Sequence, residues 1–108
     1  MELKLSGLGL TSLPPSYSES LEVLEAYENR IEELPAALFF TCSALRELHL
    51  DHNLLTTIPA SIKLLLNLEA MSLHDNRIVH VPEELGLLTR LTTLRLDRMS
   101  QKRNCSPP

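Results

Sequence analysis

Apolar residues in this chain recur on a frame longer than the period of any helix or strand. Reading back from Ile58-Pro59, apolar positions fall at Leu55, Leu50, Leu48 and Leu45, with Asn53 among them. Reading back from Val81-Pro82 gives Ile78, Asn76, Leu73, Met71 and Leu68. Reading back from Leu34-Pro35 gives Ile31, Asn29, Ala26, Leu24 and Leu21. Leu13-Pro14 opens the series, and the four dipeptides are 21, 24 and 23 residues apart. The shared unit is L-x-x-L-x-L-x-x-N-x-L-x-x-L-P, with Ala26 its one weak member. A period of this size means a stack of equivalent units, each burying its apolar side against the next.

Each position of the unit has a physical reason. The L-x-L segment alternates with period two, which predicts a short strand with leucines pointing inward and the intervening residues outward. Stacking the units aligns these strands as a parallel sheet. The Asn carries both a donor and an acceptor. It is expected to satisfy backbone groups where the chain turns off the strand, in its own coil and the next. Asn29, Asn53 and Asn76 then form a buried amide ladder. Leu8 and Met99 hold the same position at the two ends and cannot join it.

The segments after each Pro form the returning side. Ile62, Leu65 and Leu68 recur after Pro59, and Leu85, Leu88 and Leu91 after Pro82. That spacing predicts a short 3₁₀ or α segment, which a leading Pro tolerates. The first return, Pro14 to Ser20, is short and polar. It is expected to be extended, with Tyr17 covering the core. The second, Pro35 to Ala44, is one residue longer and holds Phe39-Phe40, of which one is expected to pack inward and the other to face solvent.

The unit resembles the leucine-rich repeat family, and its short Leu-Pro form is similar to intracellular members such as the Scribble-type and Ras-scaffold repeat proteins. The resemblance implies an α/β right-handed solenoid of about five coils. The parallel sheet lies on the concave face, with short 3₁₀, α or extended segments on the convex one. Repeats are expected over about 1–20, 21–44, 45–67, 68–90 and, in part, 91–99. Residues 100–108 lack core leucines and read as a disordered or irregular tail. No polar capping unit is visible at either end. This favours a fragment of a longer repeat protein over a complete one, and exposed ends allow self-association.

Composition narrows the function. Apolar residues make up 44% of the 108 residues, yet aromatics only 4%, so one side chain, leucine, fills many equivalent sites. A net charge of −4 argues against a nucleic-acid surface. No apolar run is long enough to span a membrane, and Met1-Glu2-Leu3-Lys4 does not begin a signal peptide. Cys42 and Cys105 show no metal or cap spacing, so both are expected as free thiols in a cytoplasmic protein. Three glycines leave no phosphate-binding loop, and no catalytic motif or cofactor signature is present.

The stacking lets the outward face be written down in rows. The residue between the strand leucines gives Lys4, Glu25, His49, Ser72 and Arg95. The next outward position gives Ser6, Tyr27, Asp51, His74 and Asp97. The third gives Gly7, Glu28, His52, Asp75 and Arg98, and the flanking row Glu2, Val23, Glu47, Ala70 and Thr93. The face reads as charge-mixed, with an acidic end at Glu22, Glu25 and Glu28 and a basic end at Arg95 and Arg98. The family uses this face for partners. Carried over by position, the resemblance implies partner contacts at Glu25, Tyr27, Glu28, His49, Asp51, His52, Ser72, His74, Asp75, Arg95, Asp97 and Arg98.

Blander and sharper readings compete for the same residues. Mixed charge on a sheet also describes an ordinary solvated surface. The His and Asp residues are close enough to suggest a metal site, but His49 and His52 are expected to point apart. Ser72, Asp51 and His74 resemble a hydrolase set only superficially, on an open sheet with no oxyanion donor. The leading expectation is a protein-interaction module of unidentified protein partner. The alternative is a targeting segment of a larger signalling enzyme, such as a phosphatase, kinase, GTPase or ubiquitin ligase.

Overall fold

The L-x-L segments do form strands, each three residues long. A computed structural model describes residues 1–97. Its strands are β1 (Glu2–Lys4), β2 (Val23–Glu25), β3 (Glu47–His49), β4 (Ala70–Ser72) and β5 (Thr93–Arg95). All pair in parallel and in sequence order, in one open sheet. The register joins Leu3, Leu24, Leu48, Met71 and Leu94 in one inward row. Leu24, Leu48 and Met71 are fully covered by coils on both sides. Leu94 lies on the last described strand and stays 39% exposed.

The ladder does not end with the strands. Amides of one coil continue to donate to carbonyls of the following coil, from Leu5 to Glu25, Ala26 to His49, Leu50 to Ser72 and Leu73 to Arg95. The next outward row is tied likewise, with Gly7, Glu28, His52 and Asp75 donating to Tyr27, Asp51, His74 and Asp97. Those four donors occupy one structural position, and each has positive φ, at 70°, 55°, 59° and 61°. The chain needs a left-handed residue there to leave the strand. Glycine supplies it freely in the first coil, while Glu28, His52 and Asp75 adopt it at a cost of about 1–3 kcal/mol each.

The asparagine that follows each left-handed residue holds the turn. Asn53 is buried and donates from Nδ2 to the carbonyls of Ala26, Leu50 and Asp51, while Oδ1 accepts from the amide of Ile31. Asn76 repeats this on Leu50, Leu73 and the amide of Leu55. Asn29 does so on Leu5, Ala26, Tyr27 and the amides of Leu8 and Leu10. The direction corrects the sequence expectation. Each side chain serves its own coil and the preceding one, because the Asn of a coil lies level with the unpaired turn groups on its N-terminal side. Asn29 therefore completes the first coil even though Leu8 replaces an asparagine there. Met99 lies outside the described residues, as does the segment 100–108.

The returning side holds one α-helix, α1 (Ala36–Thr41), and two 3₁₀ turns, Ala60–Leu64 and Glu83–Leu87. Each follows a Pro in extended backbone conformation, where the missing N–H costs nothing. The first return is not helical, and Tyr17 packs on the core as expected. The extra residue of the second return gives α1 its full turn. Phe39 is 2% exposed within the core and Phe40 72% exposed. Val81 departs from the pattern at 47% exposure, unlike Ile58 in the coil before. Its flank belongs to the last described coil, so fewer neighbours cover it.

Candidate functional site

The register places the outward rows as the sequence implies. Lys4, Glu25, His49, Ser72 and Arg95 stand side by side, as do Glu2, Val23, Glu47, Ala70 and Thr93. Tyr27, Asp51, His74 and Asp97 follow on the continued ladder, with Glu28, His52 and Asp75 on the left-handed turn beside them. Arg98 lies outside the described residues. Neighbouring strands sit about 4.8 Å apart, so side chains of successive coils meet directly.

Each of the three face histidines finds a carboxylate. His49 Nε2 lies 3.0 Å from Glu47 of its own strand. His52 Nδ1 lies 2.8 Å from Asp75 of the next coil. His74 Nδ1 lies 2.9 Å from Asp97, again one coil on. Hydrogen bonding from His74 holds the Asp97 carboxyl below its usual range, with Arg95 contributing. The rings also stack among themselves. Tyr27 and His49 have centroids 5.7 Å apart, and His52 meets His74 edge-on at 5.4 Å. The four rings thus form two pairs, each spanning two successive coils.

Asp51 has a different task from that of an outward contact. Its Oδ1 accepts the Ser72 hydroxyl at 2.5 Å and the His74 amide at 2.9 Å. The carboxylate is a strut between two coils. Ser6 does the same in the first coil, where its Oγ accepts the Tyr27 amide at 2.9 Å. Sequence reading missed this role. The available signal was a short polar side chain two residues past the strand's last residue, a habit of Asp and Ser beside free amides.

Ser72 is buried beneath this contact, and the His74 ring faces Asp97. Ser72, Asp51 and His74 are neighbours without forming a proton relay, since the imidazole does not reach the hydroxyl. His49 and His52 point to different carboxylates, and among the described residues no three His, Cys, Asp or Glu side chains converge on a metal-sized space. Cys42 is a buried free thiol whose pKa is raised by burial, so it stays protonated.

A depression of about 360 Å³ lies at the edge of this face, lined by the three ladder asparagines with His52, Leu54, Asp75 and Arg77. It sits beyond the left-handed turns, not over the strands. The asparagines in it already have partners, so it adds room beside the His52–Asp75 pair but no unsatisfied buried group.

Similarity to known proteins bears on this architecture. Residues 19–78 match the leucine rich repeat family. Podocan-like protein 1 of Mus musculus is 39% identical over 99 residues, covering 89% of this chain and 17% of that protein. A probable serine/threonine-protein kinase of Dictyostelium discoideum is 36% identical over 105 residues, covering 91% of this chain and 3% of that protein. The solved structure of a leucine-rich-repeat protein from Leptospira interrogans superposes with a TM-score of 0.70 at 40% identity, over 72% of this chain and 20% of the other. The chain spans less than a fifth of the length of these curated relatives.

Proposed function

Because the chain belongs to the leucine-rich repeat family, we propose that it is a protein-recognition module whose contact surface is the open face of its sheet. Repeats of this family generally mediate contacts between proteins. One observation carries the choice of face. Tyr27, His49, His52 and His74 are fixed in register on hydrogen-bonded backbone, with ring pairs at 5.7 and 5.4 Å and each imidazole oriented by a carboxylate. Such side chains are rigid and amphipathic, so they lose little conformational freedom on binding. Tyrosine in particular is enriched where binding energy concentrates. The mechanism is shape and charge complementarity, with no chemical step. A reducing, cytoplasmic setting is part of the proposal, supported by the buried free thiol of Cys42.

The test is positional. A photo-crosslinking residue is placed at Glu25 or at Thr93, both on the open face, and separately at Lys63, on the 3₁₀ turn behind the sheet. Cross-links to a partner protein from the two face positions and not from Lys63 are expected. Cross-links from Lys63 alone overturn the assignment.

A second reading, a targeting segment of a larger signalling enzyme, is favoured by the match to a protein named as a probable kinase. A reading frame that runs from these 108 residues into a catalytic domain supports it. A frame closed on both sides removes it.

A further inference from the structure

Half of the chain's fourteen carboxylates stand on the open face and its turn row. Two permanent cations of the described residues share it, and both are engaged internally. Lys4 Nζ lies 3.7 Å from Glu2, and Arg95 lies 3.4 Å from Asp97. The expected basic end is thus paired at Arg95 with Asp97. His52 and His74 each occupy a further carboxylate, at Asp75 and Asp97.

What remains gathers around Tyr27. Glu25 stands two residues before it in the same coil, between Lys4 and His49 in the register. Glu47 lies alongside, shared with His49. Asp51 is the neighbour of Tyr27 one coil on, and its Oδ2 has no hydrogen bond among the described residues. Burial and then the charges of Glu25, Asp51 and Glu47 push the Tyr27 phenol above its ordinary value, as expected where a ring is ringed by carboxylates. One side of the ring meets His49. On the first-coil side its neighbours are Ser6, whose Oγ accepts the Tyr27 amide, and Gly7, which has no side chain and donates its amide to the Tyr27 carbonyl.

Resting on the reading of the open face as a binding surface, we infer that the Tyr27 end of that face receives a lysine or arginine side chain of a basic segment in the partner protein. The aromatic ring offers its electron-rich face to the cation, and Glu25, Glu47 and Asp51 offer oxygens to its N–H groups. Charge complementarity selects this occupant. An acidic segment or a phosphate backbone meets repulsion from the same carboxylates. Among the described residues no lysine or arginine pairs with the three, since Lys4, in register with Glu25, leans on Glu2 and Arg95 leans on Asp97.

The probes are two blocked octapeptides of alternating glycine and lysine or glycine and arginine, with a glycine–glutamate peptide as control. Each is titrated into the full chain at low salt and followed by backbone amide NMR. Shifts centred on Tyr27, His49 and Glu25, absent with the acidic peptide, are expected. Affinity should fall about two- to five-fold in Tyr27→Leu and be retained in Tyr27→Phe, which keeps the ring. Glu25→Gln should cost about three-fold. Glu83→Gln with Glu84→Gln, on the returning side, should change nothing. Shifts spread evenly over all carboxylates, or unchanged affinity in Tyr27→Leu, overturn the inference. If the basic peptides fail while cross-links from position 25 persist, the face reading stands and the cation reading falls. If a chain ending at Asp97 binds the peptides far more tightly than the full chain, Arg98, Lys102 and Arg103 of this chain are the occupant, and assignment to a partner is overturned.

Discussion

Replacing Asn53 by leucine should be among the most damaging single changes in the molecule, and its cost can be worked from its bonds. Leucine fits the position in size, and the chain carries one there at Leu8. Four hydrogen bonds vanish in Asn53→Leu. They are not equal. The Ala26 carbonyl keeps the Asn29 amide at 3.3 Å, and the Leu50 carbonyl keeps the Asn76 amide at 3.0 Å. The Ile31 amide has no second acceptor and is left buried and unpaired, a loss of about 1–3 kcal/mol. The weakened carbonyls add about 0.5 kcal/mol each, for a sum of about 3 kcal/mol. In Asn29→Leu the stranded groups belong to Leu5, Leu8 and Leu10 of the first coil, where Leu8 is exposed and the other two are only half-buried. Water replaces the amide there, and about 1 kcal/mol is lost. The assay is urea unfolding followed by far-ultraviolet circular dichroism. With a slope of about 2 kcal/mol per molar, the midpoint should drop about 1.5 M for Asn53→Leu and about 0.5 M for Asn29→Leu. Because Asn53 and Asn76 share the Leu50 carbonyl, the double variant should lose more than the sum of the singles. Equal costs at positions 29 and 53, or simple additivity of 53 and 76, would refute the argument from stranded groups.

Other outcomes follow from burial and ionisation. Phe39→Ala should cost about 3–5 kcal/mol, since the ring fills the core, while Phe40→Ala should stay within about 0.5 kcal/mol of the parent in the same unfolding assay. The Tyr17 hydroxyl is buried without a partner, and burial, followed by the Cys42 charge, raises its pKa well above the ordinary 10.0. A raised folded value means that Tyr17 leaves stability independent of pH below about 10, where it is neutral in both states, and that stability is lost as pH rises beyond this because the unfolded chain ionises first. The Tyr17 share of phenolate absorbance, taken as the difference between the parent and Tyr17→Phe, should therefore rise only with alkaline unfolding. Tyr17→Phe should remove that component and stabilise the chain by about 1 kcal/mol. A reversible native titration of Tyr17 near its ordinary value would contradict this.

How much was legible in the sequence depends on which force sets each feature. Strand positions and register followed from the spacing of Leu24, Leu48 and Met71, because inward burial fixes every other residue and stacking fixes the neighbours. The split of Phe39 and Phe40 followed from helical geometry, which cannot turn two adjacent rings inward. The direction of the asparagine ladder did not follow. It depends on which coil has free turn groups level with the amide, a three-dimensional offset the repeat does not encode. Val81 fits the apolar pattern and yet is exposed, because pattern reports the average coil and Val81 flanks the last described one. On the face, the rows were readable, but the pairing within them was not. Asp51 reads like a surface contact and is a strut; Arg95 reads like a free charge and leans on Asp97. Side chains choose among several near neighbours there, by differences smaller than any sequence rule resolves.

The backward reach of the asparagines sets a schedule for biosynthesis. The turn of the first coil stays open at Leu8 and Leu10 until Asn29 has left the ribosome, and that of the second stays open at Ile31 until Asn53 follows. Each newly made coil finishes the one made before it. At about 5–20 residues per second, successive completions are separated by about 1–5 s. A nascent chain of this kind is always one coil short of closed at its growing end, and it is that end, changing every few seconds, that a ribosome-bound chaperone would have to shield.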